Sequence, residues 1–118
     1  MRADMAYTLE HDPIDPGHLI SVTGELDIAA TPELSTVLLM AAGSPGPLVV
    51  LDLSEVEFID STALGTLLKA GGEIEAAGKQ LRIVCAGGPV RRLLEMTNLT
   101  NRFTLCPSRE DALAGASA

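Results

Sequence analysis

Aromatic side chains are nearly missing from this 118-residue chain, which has two Phe, one Tyr and no Trp. Its core must therefore be filled by Leu, Val, Ile and Ala, and it lacks the flat platforms on which unpaired bases stack. Positive charge is scarce too. Eight Lys and Arg stand against sixteen Asp and Glu, a formal net charge of −8, which repels a polyanion instead of releasing its counterions. Nucleic acid is not expected as a partner on that ground. No apolar run approaches the roughly 18 residues that a membrane span needs. Even Leu48 to Leu53 is interrupted by Asp52, and Met1-Arg2-Ala3-Asp4 leads into no apolar signal core. No direct membrane insertion is expected, and the cytoplasm is the expected location. Cys85 and Cys106 form no C-x-x-C and have no His cluster beside them, so both read as small core residues and not as zinc ligands or a redox pair.

What is present is aliphatic and patterned. A hydrophobic fraction of 47% with 20% charge belongs to a packed chain and not a disordered one, and the length suits one domain. Tyr7 to His11 and His18 to Thr23 read as two short strands joined through the turn formers Asp12-Pro13 to Pro16-Gly17. His11 and His18 flank that turn and, with no third ligand in view, read as solvated hairpin residues. Thr31-Pro32-Glu33 has the order of an N-cap, a first-turn Pro and a first-turn acid. The stripe Leu34, Val37, Leu38, Ala41 then marks a helix that Gly43 to Pro47 ends. Leu48 to Leu53 is apolar enough for a central strand covered on both faces.

After a short loop, Asp60-Ser61-Thr62 opens a second helix with Leu64, Leu67, Leu68, Gly71 and Ile74 on its apolar face and Gly78 at its end. A strand Leu81 to Cys85, a turn at Ala86 to Pro89 and a helix marked by Val90, Leu93, Leu94 and Thr97 repeat the pattern. A last strand near Phe103 to Cys106 and a helix from Ser108 complete it. Alternating strands and helices predict an α/β fold, a small mixed and mostly parallel sheet with a hairpin edge packed against about four helices. One domain is expected over 1–118, with its core at about 7–107 and flexible ends at 1–5 and 114–118.

Taken together, Gly24-Glu25-Leu26-Asp27, Leu51-Asp52-Leu53, Phe58-Ile59-Asp60-Ser61-Thr62-Ala63-Leu64-Gly65 and the strand Leu81 to Cys85 resemble the STAS domains of anti-sigma factor antagonists. The resemblance implies helices on one side of the sheet and a serine at the start of the second helix that a partner kinase phosphorylates, here Ser61. It also implies the partners: an anti-sigma factor serine kinase that the unmodified form binds, releasing a sigma factor, and a phosphatase acting on phospho-Ser61. ATP would be used by the kinase, and this chain would need no cofactor and perform no catalysis. The residues implied at the partner surface are Asp27, Asp60, Ser61, Thr62, Ala63 and Gly65. Ala63 departs from the family, which often has Gly there.

Physical chemistry leaves Ser61 two roles. Its hydroxyl could cap the helix by accepting from an unpaired N–H. Alternatively it could carry a phosphoryl group, whose roughly −1.5 to −2 charges sit well at the positive end of a helix dipole yet repel a partner that needs close contact. Asp27 suits an Asx-turn as readily as a contact, and Thr62 suits a helix start. Gly65 costs a helix about 1 kcal/mol relative to Ala, which calls for a packing or contact reason.

Other functions fit less well. A phosphoreceiver domain also carries an Asp on a central strand, but it needs an acidic pair for magnesium after its first strand, and this chain opens on a hairpin. Asp52 reads as structural. A serine hydrolase would need a G-x-S-x-G elbow, which Ser61 lacks. Within the same fold, a subunit of a lipid or anion transporter or of a stress-signalling assembly is the alternative.

Overall fold

The structure, a computed structural model, describes residues 7–114. The flexible ends expected at 1–5 and 115–118 lie outside those residues, whereas Ala114 is described and closes the last helix. Strands β1 (Tyr7–Ile14), β2 (Gly17–Leu26), β3 (Leu48–Ile59), β4 (Gln80–Val84) and β5 (Thr104–Cys106) alternate after the hairpin with helices α1 (Thr31–Ala42), α2 (Ser61–Ala76), α3 (Gly88–Met96) and α4 (Arg109–Ala114). The sheet order follows the chain order. β1 pairs antiparallel with β2, and every later pairing is parallel. The expected mixed, mostly parallel sheet with a hairpin edge is what the chain forms.

The hairpin is longer than its turn formers suggested. Pro13 lies inside β1, opposite His18, and only Asp15-Pro16 remains as the loop. An edge strand tolerates Pro because the missing N–H would have faced solvent. The histidines are a correction: they are not freely solvated, since His11 Nε2 and His18 Nδ1 meet across the strands at 2.9 Å. β3 is central as expected, with Leu48 to Leu53 buried on both faces. It also runs on to Ile59, where a loop was expected, and its pairing with β2 shifts register twice on the way. Gly24, at φ +89°, supplies the backbone that such a bulge needs. Gly78, at φ +84°, ends α2 as anticipated.

Because the strands succeed one another in a single direction, crossovers of constant hand place α1, α2 and α3 on one face. Leu34 and Leu38 of α1, Leu67 and Ile74 of α2, and Val90 and Leu94 of α3 pack there over Ile20, Val22, Val49, Leu51 and Ile83. α4 is not followed by a described strand, and the three-helix face does not hold it. It crosses the opposite face instead, where Ala112 packs with Leu48, Val50, Val84 and Cys106. Helices on one side therefore describes α1 to α3 only.

Asp52 lies within β3, not at a strand end, and is just 6% exposed. Its carboxylate accepts from the Ser54 N–H at 2.9 Å and from the Ser54 hydroxyl at 2.6 Å, and it pairs with Arg109 of α4. Arg109 also donates to Ser21 Oγ at 2.9 Å, which fastens α4 to β2 and β3 together. Burial works against the charged carboxylate, but the hydrogen bonds from Ser54 and Arg109 outweigh it and hold the Asp52 pKa below its usual value. Both cysteines are buried, Cys85 on the three-helix face and Cys106 on the other. Burial pushes both thiols up, which disfavours the reactive thiolate.

Candidate functional site

In an open sheet of parallel strands, the loops at the carboxyl ends of the strands are where a site is built. β2 and β3 are adjacent and parallel, so the connections that leave them toward α1 and α2 lie side by side. They are also stitched together, because the Asp60 N–H donates to the Leu26 carbonyl at 3.2 Å. Each connection begins with an aspartate that performs the same local task. Asp27 accepts from the Ala29 N–H at 3.0 Å and caps a 3₁₀ turn, Ile28–Ala30. Asp60 accepts from the Ala63 N–H at 2.9 Å and caps α2.

Capping by Asp60 takes the helix-cap role away from Ser61. The cap position and its hydrogen bond are occupied one residue upstream, so Ser61 stands at the first helical position, exposed, with its hydroxyl bonded to no described residue. Thr62 is exposed beside it, and its carbonyl accepts from the Thr66 hydroxyl at 3.2 Å. Gly65 is exposed one turn further on, and a Cβ built on it would meet nothing within 4 Å. No described residue of this chain therefore requires glycine there.

The six residues singled out from sequence are brought together at one end of the sheet, with one correction. Ala63 has no exposed surface. Its side chain points into the core beneath α2, so it supports the turn and cannot touch a partner. A second correction concerns Thr31, which was expected to cap α1. The 3₁₀ turn runs into α1 without a break, so capping moves upstream to Asp27, and the Thr31 hydroxyl instead donates to the Ile28 carbonyl at 2.9 Å.

Two large apolar side chains at this end were not anticipated. Ile28 is 67% exposed and Phe58 is 47% exposed. Phe58 was legible in principle, because Ile59 must point inward and its neighbour on a strand then points outward. With Glu25 and Glu57, also exposed, the two capping aspartates give this end an acidic rim around apolar and hydroxyl groups. No group of three or more metal-ligating side chains occurs among the described residues. No described helix is long and apolar enough to cross a membrane.

Comparison with known proteins agrees with this fold. The family model described as the STAS domain matches residues 9–112. An anti-sigma-B factor antagonist of Staphylococcus aureus is 30% identical over 95 residues, spanning 80% of this chain and 88% of that protein. An anti-sigma factor antagonist from Mycobacterium paratuberculosis, known from its crystal structure, superposes with a TM-score of 0.86 at 28% identity, over 100% of both chains. The Bacillus cell fate determinant SpoIIAA in its phosphorylated form shares the fold, with a TM-score of 0.72 at 17% identity over 92% of this chain and 98% of that one.

Proposed function

The chain belongs to the STAS domain family, and from that premise we propose that it is an anti-sigma factor antagonist switched by phosphorylation of Ser61. In its unmodified form it binds an anti-sigma factor serine kinase in the cytoplasm and so frees the sigma factor. Phosphorylation of Ser61 ends the complex, and a phosphatase restores it. The nucleotide is the kinase's substrate, and this chain acts by binding alone. The observation that carries the proposal is the division of labour at the start of α2: Asp60 caps the helix and leaves the Ser61 hydroxyl exposed and unbonded.

Three further features support it. Relatives at 28 to 30% identity are anti-sigma factor antagonists, which favours this role over a transporter-linked one. SpoIIAA, of the same fold, is known in a phosphorylated form. Exposed Gly65 weakens α2 for no internal reason, which fits a partner that comes close to the helix backbone.

A phosphoryl group on Ser61 would sit at the positive end of α2, so the fold should survive modification. The surface would change: a dianion added to the acidic rim of Asp27 and Asp60 repels or blocks a partner docked on it. Incubating the chain with an anti-sigma factor kinase and ATP, then mapping the phosphate by mass spectrometry, should place it on Ser61. Ser61→Ala should bind and resist modification, and Ser61→Asp should stay folded and bind at least about tenfold more weakly. Phosphate found on another residue, or equal binding by both variants, rejects the proposal.

A further inference from the structure

α1 and α2 each follow one of two adjacent parallel strands, so they run in the same direction with their N-termini side by side at the Ser61 end. Between them lies a groove of about 350 Å³ lined by Ser35 and Leu39 of α1 and by Thr66, Lys69, Ala70 and Glu73 of α2. Its floor is Ala70, 2% exposed, and one wall is Leu39, 45% exposed. The Thr66 hydroxyl is turned back onto the Thr62 carbonyl, so it is already satisfied within the helix. The volume is at the low end of the roughly 300–1,000 Å³ typical of small-molecule pockets, and a single large apolar side chain lines it. That suits a protruding side chain better than an enclosed ligand.

Lys69 gives the groove its polarity. Among the described cations, Lys79 donates to the Ser44 and Gly46 carbonyls, Arg82 to the Ala112 carbonyl, Arg91, Arg102 and Arg109 pair with Glu95, Glu75 and Asp52, and Arg92 of α3, which does not line the groove, is exposed and bonds to no described residue. Lys69 likewise bonds to no described residue, although Glu73 lies one turn away on the same helix, and it is the one described cation that lines the groove. In a chain of net charge −8, an unpaired cation beside an apolar trough selects for a carboxylate on whatever enters it.

We infer that this groove receives a helix of the anti-sigma factor kinase, with an aliphatic side chain seated beside Leu39 over Ala70 and an acidic side chain opposite Lys69. The inference rests on the proposed function and extends the contact from the Ser61 turn onto α1. It has a distinct consequence. Lys69 is eight residues beyond Ser61, a helical rise of about 12 Å, which exceeds the Debye length of about 8 Å at physiological salt. The groove therefore contributes affinity that the phosphate does not govern. Ser61 sets the difference between the two states, and the groove sets the level of both.

The test uses a purified anti-sigma factor kinase that the wild-type chain binds, with dissociation constants taken by calorimetry. Leu39→Asn and Lys69→Glu should each weaken binding by about tenfold. Each should do so by the same factor in the wild-type and Ser61→Asp backgrounds, with thermal midpoints shifted by no more than about 3 °C, since both sites are exposed. Unchanged affinity in both groove variants, alongside a weakened Ser61→Asp, overturns the groove while the switch stands. Loss that appears in one background only also overturns it. If Ser61→Asp binds as tightly as wild type, the switch fails, and the groove inference fails with it.

Discussion

The two faces of the sheet are held by different physics. On one, α1, α2 and α3 press an aliphatic layer against Ile20, Val49, Leu51 and Ile83, and packing does nearly all the work. On the other, α4 contributes Ala112 to a small apolar cluster and is fastened by Arg109, which bridges Asp52 and Ser21. The difference teaches that the covalent connections decide which face can be dry. Helices between parallel strands are forced onto one side, whereas α4, which joins no two described strands, is held by one small apolar contact and by the polar contacts of Arg109. The first face should respond to lost volume, and the second to lost charge and to pH.

The largest effect should come from hollowing the dry face. Ile83→Ala, at a residue with no exposed surface, should cost about 2–5 kcal/mol in chemical denaturation, with the same loss at pH 7 and pH 4. Next comes the polar face. Arg109→Ala leaves the Asp52 carboxylate without its cation and should cost about 1–3 kcal/mol, below the figure of about 3–5 for fully enclosed pairs because the Arg109 side chain is 50% exposed.

That second loss should depend on pH in a definite direction. A carboxyl whose folded pKa lies below its unfolded value stabilises the fold above the unfolded pKa, and the contribution disappears as pH falls through the folded pKa. The gap between wild type and Arg109→Ala should therefore narrow below about pH 4, and a gap that stays constant to pH 3 would break the distinction between the faces. The smallest effect belongs to the rim of the dry face. Asp60→Ala removes the α2 cap and should cost about 1 kcal/mol, whereas Ser61→Ala should stay within about 0.5 kcal/mol. Equal losses in thermal melts would show that the cap had been assigned to the wrong residue.

Much of this was readable in the residues, and the failures are physical. The stripes of α1 and α2, the doubly buried start of β3 and the Gly78 stop all follow local periodicity and backbone preference. Ser54 to Ile59 hid its strand because Val56 and Ile59 are buried at a spacing of three, and period two fails where β3 slips against β2. Asp52 and Arg109 meet across 57 residues, and His11 meets His18 only once β1 and β2 are paired. No local pattern carries such contacts. At the candidate site, the motif around Ser61 located the turn, but whether Asp60 or Ser61 capped the helix depended on backbone geometry that an Asp-Ser-Thr triplet leaves open. Ala63 was misjudged because the position of a residue in a motif says nothing about which way its side chain points.

Under the proposed phosphorylation of Ser61, the hydrogen bond from Asp60 to Leu26 bears on how fast and how locally a signal can be written. With its two loops joined at their bases, this end of the molecule has little freedom to rearrange when a group is added to its rim. Information would then be stored as surface chemistry on a fixed support, and the time to change state would be set by the enzymes that add and remove the group. Amide resonances far from the loops, in β4 and α4 for instance, should barely move between the two forms.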